Sequence, residues 1–429
     1  MNLDAKNKII IAGAGLSGLA TASVLPQNSF MLFESEAEPG GLCRSIRHEG
    51  YTFDYTGHLL HLKGEMLEWV EKLMPNNLIV QKRRAYVFSH GRMIDYPFQL
   101  HFGQLPNGVR DECLCGFEEI QDSKIDITNF ATWSKTTFGK GITKYFMRPY
   151  NEKLFRTKLE ELSADAVQYI PRPNLEEVRQ GALGKRMTHV GYNAEFRYPA
   201  EGGIGVLPQA LSREIKIITS AKIEKIIADE KKISVGKEWF SYSSLVSTIP
   251  LPELIKSIAD APSEISSAAS SLEAVGVLCL NLGIEGKTSS AHWIYFPEQE
   301  FPFYRVGFYH NIAPYSAPPG KSSLYVEISY KKRTDLPKEI VEQAIEKLVS
   351  AGIIKDEKKV EVRQKLWIDN AYAIHNSIRK QALDTILPFL KSKDIIPIGR
   401  FGRWTYTSMG EALLEGREIG IKLSNSIST

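Results

Sequence analysis

Read as a pattern of apolar and polar positions, the chain opens with a short apolar run, Lys8-Ile9-Ile10-Ile11-Ala12, closed by glycine. Helically spaced apolar residues follow from Leu16 to Leu25, where Pro26 ends them. A second apolar run, Phe30-Met31-Leu32-Phe33, stops at Glu34. Strand, glycine turn, helix, strand is one βαβ unit. An aromatic-rich, helix-compatible stretch runs from Thr128 to Asn151. It ends on Arg148-Pro149-Tyr150-Asn151, where the proline disfavours helical geometry at its neighbour and predicts a functional loop. Alternation returns after Gly202-Gly203, in Ile215 to Ile227 and Lys232 to Val235, then in Val275 to Gly283 and Leu324 to Tyr330; these predict strands of a mixed sheet. Pro314, Pro318, Pro319 and Gly320 mark a loop, and Glu339 to Ala351 is an amphipathic helix. Asp394 to Gly399 leads into a second glycine turn and helix.

Composition adds bounds. At 429 residues the chain exceeds the size at which one core keeps growing, which predicts two lobes or a main domain with insertions. Lys+Arg 53 against Asp+Glu 50 leaves +3 with no long basic run, so nothing marks a nucleic-acid partner. Cys43, Cys113, Cys115 and Cys279 show neither metal spacing nor a disulfide framework, which suits a reducing compartment. No apolar stretch approaches the about 20 residues of a membrane helix. A cytoplasmic enzyme with no membrane partner and no metal is the expectation.

Gly13-x-Gly15-x-x-Gly18 is weak alone, but it follows an apolar strand, opens a helix, and has Glu34 at the end of the next strand. Gly13 permits the tight turn, and Gly15, with Leu16 and Ser17 at the helix start, lets amides approach a pyrophosphate. Gly18 allows close packing, and Glu34, beside Ser35, can accept ribose hydroxyls. The continuation through Gly40-Gly41-Leu42-Cys43-Arg44 resembles the extended fingerprint of FAD enzymes, with Gly41 and Leu42 close to the cofactor and Arg44 on a phosphate oxygen. Gly399-Arg400-Phe401-Gly402 and Met409-Gly410-Glu411 form a second place where backbone meets cofactor, and Ile223 completes the candidate set. The fold class read from this is α/β: a Rossmann-like FAD-binding domain, a mixed-sheet substrate domain and a helical insertion.

Further stretches sharpen the function. Gly57-His58-Leu59-Leu60-His61 places a histidine directly after a glycine. Tyr96-Pro97-Phe98-Gln99, the segment from Phe146 to Lys153, Phe196 to Gly203, Trp293-Ile294-Tyr295-Phe296-Pro297, Pro302-Phe303-Tyr304-Arg305, Tyr372, and Gly399 to Tyr406 extend over most of the chain. Together they resemble the UDP-galactopyranose mutases, closer to the eukaryotic type, within the amine oxidase-like FAD superfamily. The resemblance implies a catalytic set of His58, Arg148 and Arg305. It implies Tyr96, Gln99, Phe155, Trp293, Tyr295, Tyr372 and Tyr406 on a UDP-sugar, and Gly57 and His58 beside the flavin. Arginines and phenols are also the groups that neutralise a diphosphate at modest entropic cost.

The reaction so implied is redox-neutral. N5 of reduced FAD attacks the anomeric carbon of UDP-galactopyranose, UDP leaves and stays bound, and the sugar recloses as furanose for galactofuranose and cell-surface polysaccharide biosynthesis. NAD(P)H or another donor keeps the flavin reduced, and a homo-oligomer is compatible with the family. Gly410 stands where the eukaryotic pattern has an amide side chain, and Phe155 where it has a tryptophan or similar aromatic; both leave the sugar open. The competing class is an FAD-dependent oxidase of the amine or protoporphyrinogen type. The expected division is 1–85, 196–250 and 391–429 for FAD, 86–195 as substrate and helical insertion, and 251–390 as substrate-binding sheet.

Overall fold

The computed structural model describes residues 8–164, 170–187, 191 and 194–427. Two seven-stranded sheets organise them. In the first, Lys8–Ala12 lies between Phe30–Phe33 and Glu238–Ser247, parallel to both; Ile217–Ile218 and Ile395–Pro397 extend the parallel set. Ile223–Ile227 and Lys232–Val235 join it antiparallel through the start of Glu238–Ser247.

The unbroken apolar runs of these strands follow from burial on both faces. Ile9 and Ile11 point into the core shared with the helix Leu16–Ala22 and with Leu413 of the C-terminal helix Met409–Ile427. Ile10 and Ala12 point to the opposite core, beside the helices Leu251–Ser257, Ser263–Ser270 and Ser377–Ser392. Those three helices belong to the expected substrate region, 251–390, yet they cover the first sheet. The first and last helices of the chain cross closely: Thr21 Oγ1 donates to the carbonyls of Ser17 (2.9 Å) and Gly416 (3.0 Å).

The second sheet runs Val360–Ala373, Ala274–Ile284, Ser322–Tyr330, Arg305–Phe308, Trp293–Tyr295, Ala85–Ser89, Arg92–Asp95. The strands read from sequence as one mixed sheet therefore divide: 217–235 joins the first sheet and 274–330 the second. Ile340–Ser350 packs into the core on one face of the second sheet, and the helical region 98–155 forms the core beside its other face.

The predicted loop at Arg148-Pro149-Tyr150-Asn151 is corrected to helix. Phe130–Ile142 continues through a π-helical turn, Thr143–Met147, into Arg148–Phe155. Pro149 directly follows the π-helical turn, in which Arg148 N–H reaches back to the Thr143 carbonyl, so the widened turn takes up the residue that cannot donate. Among the described residues no helix is long and apolar enough to cross a membrane.

Candidate active site

One cavity of about 1010 Å³ runs along the carboxyl ends of the parallel strands and onto the second sheet. Gly13, Glu34, Thr248 and Ile398, each directly after a parallel strand, line its first part. Carboxyl ends are where open parallel sheets bind ligands.

At that end Gly13 has φ +102°, and its N–H donates to the Phe33 carbonyl at 2.8 Å; any Cβ there would collide with Thr248 Oγ1. Glu34, nearly fully buried, accepts from Ala14 N (2.7 Å) and Glu36 N (3.0 Å), which holds its carboxylate against the cavity. Gly15, Leu16, Ser17, Ser35 and Ile223 line the same part. Gly18 does not; it packs against the Gly13 carbonyl, closing helix onto turn. Gly41 and Leu42 also line the cavity, whereas Arg44 turns away from it. Arg44 Nε donates to the Gly41 carbonyl at 2.8 Å and its guanidinium lies 4.8 Å over Tyr55, so Arg44 braces the glycine turn.

Mid-cavity, the Tyr55 to His58 loop is tied at its root by Asp54. Its carboxylate accepts from Ser45 Oγ (2.6 Å), Tyr198 OH (2.6 Å) and Ile204 N (3.2 Å), while its carbonyl accepts from Tyr309 OH and Asn281 Nδ2. Burial nevertheless pushes the Asp54 pKa up to about 6. His58 lines the cavity, and its Nδ1 is enclosed without a hydrogen-bond partner among the described residues. Desolvation, with the Arg400 charge nearby, pulls its pKa down to about 4, so the imidazole is neutral at pH 7. Burial holds the Cys43 thiol protonated, up at about 12, which removes it as a nucleophile.

At the far end Arg305 lines the cavity with its guanidinium backed by Glu327: Nη2 to Oε1 is 2.8 Å and Nε meets Oε2. Glu327 is 1% exposed, so it fixes Arg305 from within the sheet. Arg400 lies 5.0 Å over the Tyr372 ring and 4.6 Å over the Tyr406 ring, with Nη2 donating to the Ala371 carbonyl at 2.6 Å. Burial raises the Tyr372 pKa while Arg305 pulls it the other way, so the phenol keeps its proton. Trp293, Tyr295, Gly399 and Met409 complete this end.

Several expected residues stand behind this lining. Tyr96 packs 5.1 Å from Tyr295, and Phe155 6.1 Å from Tyr372, each supporting an aromatic that does face the cavity. Gln99 Nε2 donates to the Pro171 carbonyl at 2.7 Å. Gly410 packs under Leu62, and Glu411 accepts from Ser408 N at 2.7 Å at the start of the last helix. Arg148 is not brought to the cavity: its guanidinium is taken by Glu152 and Glu160, at 2.6 Å each. Conversely Thr248, Tyr304, Tyr325 and Glu327 line the cavity without having been expected there. Thr248 had a signal, since it follows a strand end as Gly13 does. Glu327 had none, because its role depends on strand register.

These residues fit FAD. Gly15 has open space where a Cβ would stand, and Gly41 meets only the Gly15 backbone at 3.4 Å, so a diphosphate would find bare main chain beside a helix start. Glu34 is an acceptor for ribose hydroxyls, and Gly57 and His58 line the cavity beyond it.

The comparisons agree with that fit. A crystal structure of reduced UDP-galactopyranose mutase superposes with a TM-score of 0.91 at 28% identity, over 99% of this chain and 95% of that one. At fold level, a putative protoporphyrinogen oxidase from Exiguobacterium sp. 255-15 matches with a TM-score of 0.76 at 13% identity, over 98% and 99% of the two chains. Cyclohexylamine oxidase from Brevibacterium oxydans IH-35A matches with a TM-score of 0.70 at 14% identity, over 99% and 100%. The family model for flavin containing amine oxidoreductases matches residues 16–417, and the chain belongs to that family.

Proposed function

We propose that this flavoprotein is a mutase that interconverts the pyranose and furanose forms of a UDP-sugar, UDP-galactose being the first candidate. The observation that carries the reading is the convergence of Arg305, Arg400, Tyr372 and Tyr406 at one end of the cavity, beyond the Gly57-His58 loop. Two guanidiniums and two phenols form a donor-rich, positive end suited to a diphosphate. A cationic amine would meet like charge there. The similarity to the mutase structure at 28% identity supports the same reading.

In this reading the first sheet holds the cofactor and the second holds the nucleotide sugar. Reduced flavin, when bound, supplies the nucleophile. The chain's own work is then positional: Arg305, stiffened by Glu327, and Tyr372 hold the diphosphate before and after it parts from the sugar, so that recombination is effectively intramolecular. His58, neutral at pH 7, lines the cavity and carries no charge that would compete. Tyr295 and Trp293 give flat apolar surface. Arg148, if it serves the site, must first exchange Glu152 and Glu160 for phosphate oxygens.

Titration with UDP, uridine and a primary amine tests the ligand class. The reading expects UDP to bind at least tenfold more tightly than uridine, since the diphosphate makes the charge-assisted bonds. Amine binding without UDP binding would overturn it in favour of the oxidase class.

A further inference from the structure

Lys153 has its side chain inside the protein, only 3% exposed, and no role so far described uses it. It sits in Arg148–Phe155, and its ammonium reaches three backbone carbonyls, Phe296 (2.7 Å), Glu298 and Phe303 (3.3 Å). All three belong to the loop 296–304, which joins the strand Trp293–Tyr295 to the strand Arg305–Phe308. Three acceptors match the three N–H groups of an ammonium, whereas a neutral amine has two; burial lowers the Lys153 pKa to about 7, so the full set of three bonds belongs to the form present below that pH.

The same helix touches the same hairpin elsewhere. The Tyr150 ring lies 5.3 Å from Tyr295 and 6.2 Å from Tyr304, and Gln299 Nε2 donates to the Pro149 carbonyl at 3.3 Å. From the other side Glu298 Oε1 accepts from His90 N (2.7 Å) and Ser89 Oγ (3.1 Å). The hairpin that carries Trp293 and Tyr295 on one strand and Arg305 on the other is thus held at its turn by side chains, with Lys153 at the centre.

We propose that Lys153 is a positioning residue for the nucleotide end of the cavity, clamping the 296–304 turn so that Trp293, Tyr295 and Arg305 are presented to the ligand in one fixed arrangement. This rests on the UDP-sugar reading for the ligand, but the clamp itself does not. Removing the ammonium leaves the buried Phe296 and Phe303 carbonyls without that donor and Glu298 with only Phe301 N at 3.3 Å, and an unmade buried bond costs more than a made one contributes. The turn would gain mobility, and the ordering it lacks would have to be supplied when ligand binds.

The test uses the full-length, flavin-loaded protein and the variants Lys153→Met and Lys153→Gln, the latter able to restore one carbonyl contact. Hydrogen exchange across 296–304 and UDP affinity are measured with each. The clamp predicts faster exchange at the turn with unchanged exchange along Lys8–Phe33. It also predicts UDP affinity lower by about tenfold in Lys153→Met and by less in Lys153→Gln, while flavin absorbance per protein stays as in wild type. A purely structural lysine would lower thermal stability and leave that split between UDP and flavin unmoved. Wild-type exchange at the turn in either folded variant overturns the clamp, and unchanged UDP affinity overturns the positioning role. Failure of wild type itself to bind UDP overturns the sugar reading, and the exchange experiment still decides the clamp.

Discussion

Arg305 and Glu327 stand directly opposite one another on neighbouring antiparallel strands, and their side chains meet in a two-point ion pair at the cavity wall. A guanidinium fixed by one carboxylate edge keeps its remaining N–H groups aimed at a single place, which is how a charged side chain becomes a recognition element. Glu327→Gln keeps the shape and removes the charge. Breaking a buried pair from one side typically costs about 3 kcal/mol or more. The variant is expected to lose stability in urea denaturation and UDP affinity in calorimetry together, while flavin content is retained.

Gly57→Ala reads the cofactor loop. A Cβ at Gly57 would overlap the Tyr325 hydroxyl, and Tyr325 lies in a rigid central strand. The loop must move, at a cost of about 1–3 kcal/mol. The expected outcome is a purified protein with a lower ratio of flavin absorbance to protein absorbance, as expected when a cofactor loop is displaced.

His58 gives a pH signature. Its pKa is about 4 in the folded chain, against 6.5 for an unperturbed histidine. Above 6.5 both states leave it neutral and nothing is lost; as pH falls from 6.5 to 4 the unfolded chain takes the proton first, so stability declines across that window. The loss approaches about 3 kcal/mol at its acid end. Asp54, raised to about 6, works in the opposite direction, so the informative quantity is the difference between wild type and His58→Gln. The variant's stability, measured on flavin-free protein, is expected to fall less between those pH values.

Tyr372→Phe removes one hydroxyl beside Arg305 and keeps the ring against Phe155 and Arg400. One hydrogen bond to a charged ligand contributes about 1.5–3 kcal/mol. UDP affinity is expected to drop at least tenfold with no change in melting temperature beyond a degree or two, about the range for a substitution that keeps the ring's packing.

What could be read from the sequence was local. The Gly13 turn, its flanking strands and Glu34 lie within 27 residues, Lys8 to Glu34, and periodicity and backbone demands specify them together. The tyrosines and Arg305 at the far end came through resemblance to a family, and the cavity does gather Arg305, Tyr372, Tyr406 and Arg400. Register and reach stayed hidden. Glu327 is 22 residues from Arg305 and becomes its partner only once the strands pair; Lys153 finds its carbonyls 143–150 residues away. Pro149 was read as a helix stop because a proline's effect depends on which turn it occupies, and only the placement of the preceding π-helical turn decides that. The two sheets could not be separated from strand patterns alone, since alternation reports a buried face but not which sheet buries it.

The central claim is that the cavity uses reduced flavin on a UDP-sugar without net oxidation. Its most direct measurement is anaerobic incubation of dithionite-reduced protein with UDP-galactopyranose, followed by chromatographic separation of pyranose and furanose. Interconversion of the two, with the flavin still reduced at the end, is the predicted result. Absence of interconversion, together with oxygen consumption driven by an amine or a porphyrinogen, would contradict it.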